Sequence, residues 1–147
     1  MYNVSITRLR IRSIFYMPLF ALHAFRSGAQ AQRAEGIQNF ATRVEAWDTH
    51  WTRTVWREEG SMKRFRNSGA HQVAMRILSE ICSEAAYVRW QQESPEAPTW
   101  EEAQRRMLAQ GTLSKLKHPS AFHQAGRAAP ELPEARLGRR AREANGD

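Results

Sequence analysis

The chain has 147 residues, 41% of them hydrophobic and 25% charged, values that suit one globular domain and exclude a wholly disordered chain. No apolar run reaches the roughly 20 residues needed to span a bilayer, and a single cysteine, Cys82, excludes an internal disulfide and a cysteine-based zinc site, which fits a cytoplasmic location. With 22 Lys and Arg against 15 Asp and Glu the net charge is +7, but the basic residues are scattered from Arg8 to Arg142 without a helix-turn-helix, zinc-finger, RNP or KH pattern, so a solvated basic surface is expected and no specific nucleic-acid partner.

The opening "MYNVSITRLRIR" alternates, with Tyr2, Val4 and Ile6 against Asn3, Ser5 and Thr7, and predicts a strand. The next stretch, "SIFYMPLFALHAFRSGAQAQRAEG", admits two readings. Upstream arginines, an apolar segment and Ala29-Gln30-Ala31 as a small-x-small site imitate an export signal. His23 interrupts that segment, however, and Arg26 separates it from the supposed cleavage site. As a helix the stretch is ordinary: Pro18 suits the first turn, Gly36 suits the end, Phe20, Ala24, Ala31 and Ala34 can face a sheet, and Arg26 and Arg33 can face water. The helix is therefore expected.

"GIQNFATRVEAW" and "THWTRTVWRE" both alternate and are separated by Asp48 and Thr49, which predicts an antiparallel hairpin. Ser61 and Ser68 then offer two helix starts, each a hydroxyl able to cap free N–H groups, and Val73, Ile77, Leu78 and Ile81 form an apolar stripe. A short helix running into a longer one follows from this. "AAYVRWQQ" reads as the last strand, with Ala86, Val88 and Trp90 on one face and Tyr87 and Arg89 on the other. After the Pro-rich "ESPEAP", Thr99 and Glu102 form a capping box for a helix carrying Trp100, Met107 and Leu108, which Gly111 can end.

These elements divide the chain into a ferredoxin-like α+β domain over residues 1–92, an extra helix and extended strap packed on it over 93–120, and a flexible basic tail over 121–147. The βαββαβ order predicts a four-stranded antiparallel sheet with two helices on one face. The other face, carrying Val4, Trp51, Val55 and Val88, could not be left in water cheaply at roughly 25 cal/mol per Å² of apolar surface. A homodimer with two sheets face to face would cover it.

In "TVWREEGSMKRFRNSGAHQVAM", Trp56, Met62, Phe65, the run Ser68-Gly69-Ala70-His71, and Ala74 with Met75 resemble a bacterial family similar to spheroidene monooxygenase and, more distantly, to the antibiotic biosynthesis monooxygenases. "SITRLRIRS", "GAQAQRAEG", "SPEAPTWEEAQRRM" and "LSKLKHPS" extend the resemblance over residues 2 to about 120. It implies a dimeric α+β barrel, with the opening apolar stretch inside the domain and a pocket between sheet and helices that takes an apolar or aromatic small molecule.

His71 is the leading candidate for chemistry. As the third helical residue after Ser68 it lies where the helix dipole disfavours an imidazolium, leaving a neutral ring able to take a proton or bind a metal. The resemblance places it at the pocket mouth, and implies for Asn67 and Trp56 the holding of an aromatic substrate and stabilisation of its anion, as in related cofactor-independent oxygenases. Arg64, Phe65 and His23 are the candidate substrate-binding residues. The cofactor is expected to be none or haem, with His71 as axial ligand if haem binds and no other metal site. No GxGxxG, P-loop, H-E-x-x-H or G-x-S-x-G motif occurs, so dinucleotide, nucleotide, zinc-protease and hydrolase chemistries lack their minimal parts. Two readings stand: a monooxygenase-like enzyme, and a non-catalytic ligand-binding or structural dimer of the same fold.

Overall fold

The computed structural model describes residues 1–133. Strand β1 (Tyr2–Ile11) leads through a short 3-10 turn (Ile14–Tyr16) into helix α1 (Met17–Arg33). The hairpin β2 (Ile37–Ala46) and β3 (Thr49–Trp56) follows, then helices α2 (Glu59–Arg66) and α3 (Gly69–Ile81). Strand β4 (Cys82–Gln92) begins directly at the end of α3, and α4 (Trp100–Gln110), β5 (Thr112–Leu113) and α5 (Ala121–Gln124) complete the described chain.

The apolar stretch near the start is α1, with Pro18 in its first turn and Phe20, His23, Gly28 and Ala31 buried. After the helix ends, Gly36 takes a left-handed φ of 84° that lets the chain reverse into β2. Gly28 lets α1 approach β2 closely: a Cβ there would meet the Phe40 ring at 3.2 Å.

The sheet has five strands in the order β2-β3-β1-β4-β5, all pairs antiparallel. Its first four strands have the ferredoxin-like order. The expected count of four is exceeded because the segment after Gly111 returns along the free edge of β4, pairing Leu113 with Ala86 and Thr112 with Tyr87. An unpaired strand edge carries N–H and C=O groups that favour such a capping strand.

The two sheet faces are buried differently. On one, Val4, Ile6, Val55 and Val88 pack with Trp51 against Ala103 and Met107 of α4 and against Ala129. Trp100 at the start of α4 is flanked by the guanidinium groups of Arg53, 4.7 Å from its ring centre, and Arg43, 5.4 Å away. Thr99 caps this helix as expected, its hydroxyl accepting from the Glu102 N–H at 3.1 Å. The chain's own C-terminal portion therefore covers the face whose exposure is the argument for a second copy, and burial of that face makes no demand for a partner.

Farther along the same face the buried Arg8 donates to both carboxylate oxygens of Glu45, at 3.0 and 2.9 Å, and to Glu84 at 2.8 Å. Glu84 also accepts from the Ser120 hydroxyl at 3.0 Å, and Phe122 lies 5.5 Å from the Arg8 guanidinium. These contacts seat the segment around α5 on the sheet. Of the tail expected from residue 121, residues 121–133 thus include a helical turn and the buried Ala129, and 134–147 lie outside the described residues. No helix among the described residues is long and apolar enough to cross a membrane.

Candidate functional site

The other face of the sheet does not meet its helices tightly. Ser5 and Thr7 of β1, Thr52 and Thr54 of β3, and Tyr87 and Arg89 of β4 face α1 and α3 across a cavity of about 420 Å³. Small hydroxyl side chains on the central strands leave this space open, where the opposite face has valine and isoleucine. The volume is within the range typical of small-molecule sites, and the lining is mainly apolar.

One wall is a run of three rings. Trp56, fully buried at the end of β3, lies 5.1 Å centre to centre from Phe65, and Phe65 lies 4.5 Å from the His71 imidazole. The Trp56 indole N–H donates to the Thr54 hydroxyl at 2.9 Å, which fixes the ring and satisfies its only polar atom. All three rings line the cavity, as does the buried His23 of α1.

His71 is held by two contacts outside its own helix. Its backbone N–H donates to Gln30 Oε1 at 2.8 Å, and its Nδ1 lies 3.2 Å from the Arg66 carbonyl oxygen. A carbonyl only accepts, so Nδ1 carries the proton and Nε2 is the basic nitrogen. Burial holds the imidazole pKa below its ordinary value, the nearby Arg66 and Arg89 charges push the same way, and the bond to the Arg66 carbonyl works against them. The ring is neutral at pH 7, and burial is the cause with the largest influence.

The expected cap is different. Ser68 has extended backbone but makes no side-chain cap; its hydroxyl donates to the Arg64 carbonyl at 2.6 Å, closing the end of α2. The free N–H of the first turn of α3 is met instead by Gln30, whose amide nitrogen also donates to the Ser68 carbonyl at 2.9 Å and the Phe65 carbonyl at 3.3 Å. Ser61 does not start a helix either: it is buried within α2, which begins two residues earlier.

The sequence candidates divide accordingly. The structure brings His71, Trp56, Phe65 and His23 to one cavity. Arg64 and Asn67 are not among its lining residues: Arg64 is turned to Ser61 at 3.0 Å and Glu58 at 3.4 Å, and the exposed Asn67 ends α2, its Oδ1 accepting from Arg66 Nε at 3.5 Å. Residues not singled out from the sequence also line it, notably Arg66, Tyr87, Arg89 and His50, whose ring lies 5.0 Å from Phe20 and whose buried Nε2 has no hydrogen-bond partner among the described residues. Strand alternation already sets Tyr87 and Arg89 apart from Val88; what the sequence lacked was a sign that this face borders open space.

No protein-family model and no curated protein matches the chain. Solved structures do. Rv0793 from Mycobacterium tuberculosis aligns with a TM-score of 0.57 at 14% identity, over 64% of this chain and 97% of that one. A conserved protein from Methanosarcina mazei gives 0.56 at 14% identity, over 63% and 94%. SnoaB from Streptomyces nogalater, a cofactor-independent oxygenase, gives 0.53 at 12% identity, over 63% and 94%. At these identities the likeness establishes a shared fold: the chain has the α+β architecture of SnoaB and its structural neighbours.

Proposed function

We propose that the chain binds an apolar or aromatic small molecule between the sheet and helices α1 and α3, and oxygenates it in the manner of a monooxygenase, with His71 as the proton acceptor. The observation that carries this is the ring run Trp56–Phe65–His71, which sets a neutral imidazole on the wall of a mainly apolar cavity. The fold shared with a cofactor-independent oxygenase supports it.

In such a reaction the substrate supplies the electrons. His71 Nε2 takes a proton from an acidified C–H; the resulting carbanion reduces O2 and bonds to it, and loss of water leaves a carbonyl, so that a CH2 group and O2 become C=O and H2O. Exclusion of bulk water by the rings and α1 favours the neutral base and the apolar substrate. Trp56 and Phe65 offer flat surfaces for an aromatic ring, and His23 adds a polar group on the helix side.

Haem, the cofactor the resemblance admits, would be held by the neutral imidazole of His71 and would supply oxygen activation. Among the described residues no group of three or more His, Cys, Asp or Glu is placed to hold a metal ion.

The test is oxygen uptake with a panel of enolisable aromatic ketones and quinols, with the protein as purified and after addition of haem. The account expects uptake by the wild type, loss of at least about 100-fold in His71→Ala, and binding of the same compounds by both. Binding without uptake would favour the non-catalytic reading.

A further inference from the structure

Arg8 and Arg10 are matched by carboxylates, Arg8 by Glu45 and Glu84, and Arg10 by Asp48 at 2.9 Å and Glu84 at 3.3 Å. Arg43 and Arg53, under α4, instead stack on Trp100, and Arg53 donates to the Pro98 carbonyl at 2.6 Å. On the cavity face no carboxylate plays that part among the described residues. Arg66, Arg89 and Lys115 line the cavity, together with three histidines, and no aspartate or glutamate does. Neither Arg66 nor Arg89 makes an ion pair among the described residues; Arg66 reaches only the Asn67 side chain, and Arg89 rests over the Tyr87 ring at 4.3 Å. Glu59, on which the Arg66 charge also acts, is engaged by Lys63 at 2.6 Å.

Arg66 and Arg89 also act on each other and on the same histidine. The Arg89 pKa is lowered by burial and then by the Arg66 charge, and both guanidinium groups disfavour protonation of His71. Two like charges bordering one partly apolar space, the half-buried Arg66 and the exposed Arg89, repel each other in the empty site, and a ligand anion relieves the repulsion. Arginine is suited to this, because its planar fork matches a carboxylate in two parallel bonds.

We propose that the cavity's occupant is an apolar carboxylate, its anionic end between Arg66 and Arg89 and its hydrocarbon or aryl body against Trp56, Phe65 and the hydroxyl-lined strands. The inference rests on the reading of the cavity as a binding site and narrows its ligand class: an aryl or alkyl acid, in preference to a neutral hydrocarbon, a neutral quinol or an amine. It also orients the ligand, since the carboxylate end lies toward His71.

The experiment compares three probes of matched shape by titration of tryptophan fluorescence or by calorimetry: 1-naphthylacetate, its neutral amide 1-naphthylacetamide, and the cation 1-naphthylmethylammonium. The expected result is that the carboxylate binds about tenfold or more tighter than the amide, that the cation binds weakest, and that added salt narrows the gap. Arg66→Gln and Arg89→Gln should each erase most of that preference, with urea midpoints near that of the wild type showing that the variants are folded. Equal binding of carboxylate and amide by the wild type would overturn the inference but leave the apolar site standing. Failure of all three probes to bind would overturn both.

Discussion

Gln30 on α1 accepts the backbone N–H of His71 at 2.8 Å across a separation of 41 residues, and its amide nitrogen returns two bonds to the carbonyls of Phe65 and Ser68. One side chain thus joins α1 to both helices that carry the ring run. Removing it leaves a helix N-terminal N–H and two carbonyls without these partners. Gln30→Ala should lower stability by about 1–2 kcal/mol, read as a drop in the urea midpoint, and should loosen the His71 ring, read as a sharper loss of activity than of stability. The adjacent Gly69 sits at a φ of 58°, and a Cβ there would lie 3.0 Å from Gln30 Oε1. Gly69→Ala should therefore destabilise by about 1–2 kcal/mol; an unchanged midpoint would contradict the clasp.

The pH dependence follows from the direction of the His71 shift. Its ring loses protons more readily than an ordinary imidazole of pKa 6.5, so it stays in the basic form below that pH. The acid limb of the rate profile should fall below 6.5 and disappear in His71→Gln. For stability, the unfolded chain takes up a proton at this position before the folded one does, so the contribution present above the unfolded value declines as pH falls toward and through the folded value. The stability difference between the wild type and His71→Gln should shrink over that window; a difference that grows on acidification would contradict the assigned direction.

The Arg8 network makes a structural prediction. Arg8 and Glu84 are both nearly inaccessible, with side-chain exposures of 5% and 3%. Glu84→Ala leaves a buried guanidinium short of one partner and frees Ser120, so a loss of about 3 kcal/mol or more is expected. Glu84→Gln keeps the shape and an acceptor and should cost less. Limited proteolysis should cut first near α5 in Glu84→Ala, since that segment loses its anchor; cleavage at the wild-type rate would show that the network does not seat it.

Most of the elements were legible because their signals are local, whereas β5 and α5, expected as strap and tail, were not. The period-two alternation of β1 and of the hairpin, the Pro18 and Gly36 punctuation of α1, and the Thr99 cap each depend on residues a few positions apart. Trp56, Phe65 and His71 cluster in the sequence and His23 falls on α1, and the structure brings the four to one cavity. The covering of the second sheet face was not legible: Ala103, Met107 and Ala129 form a sparse apolar set, and their contact with Val4 and Val88 is long-range. The cap of α3 was misread for the same reason, since a local serine was preferred to a glutamine 41 residues away. Arg66, Arg89 and His50 gain meaning only from the space they border.

The central claim is that the hollow between the sheet and helices α1 and α3 is where the ligand resides. Ala74 of α3 lines that hollow and is buried, so Ala74→Phe places a ring inside it. Titration of tryptophan fluorescence with an aromatic probe should show saturable binding by the wild type and a loss of about tenfold or more in Ala74→Phe, with the melting temperature maintained or raised by cavity filling. Undiminished binding by a folded Ala74→Phe protein would place the ligand elsewhere and contradict the account.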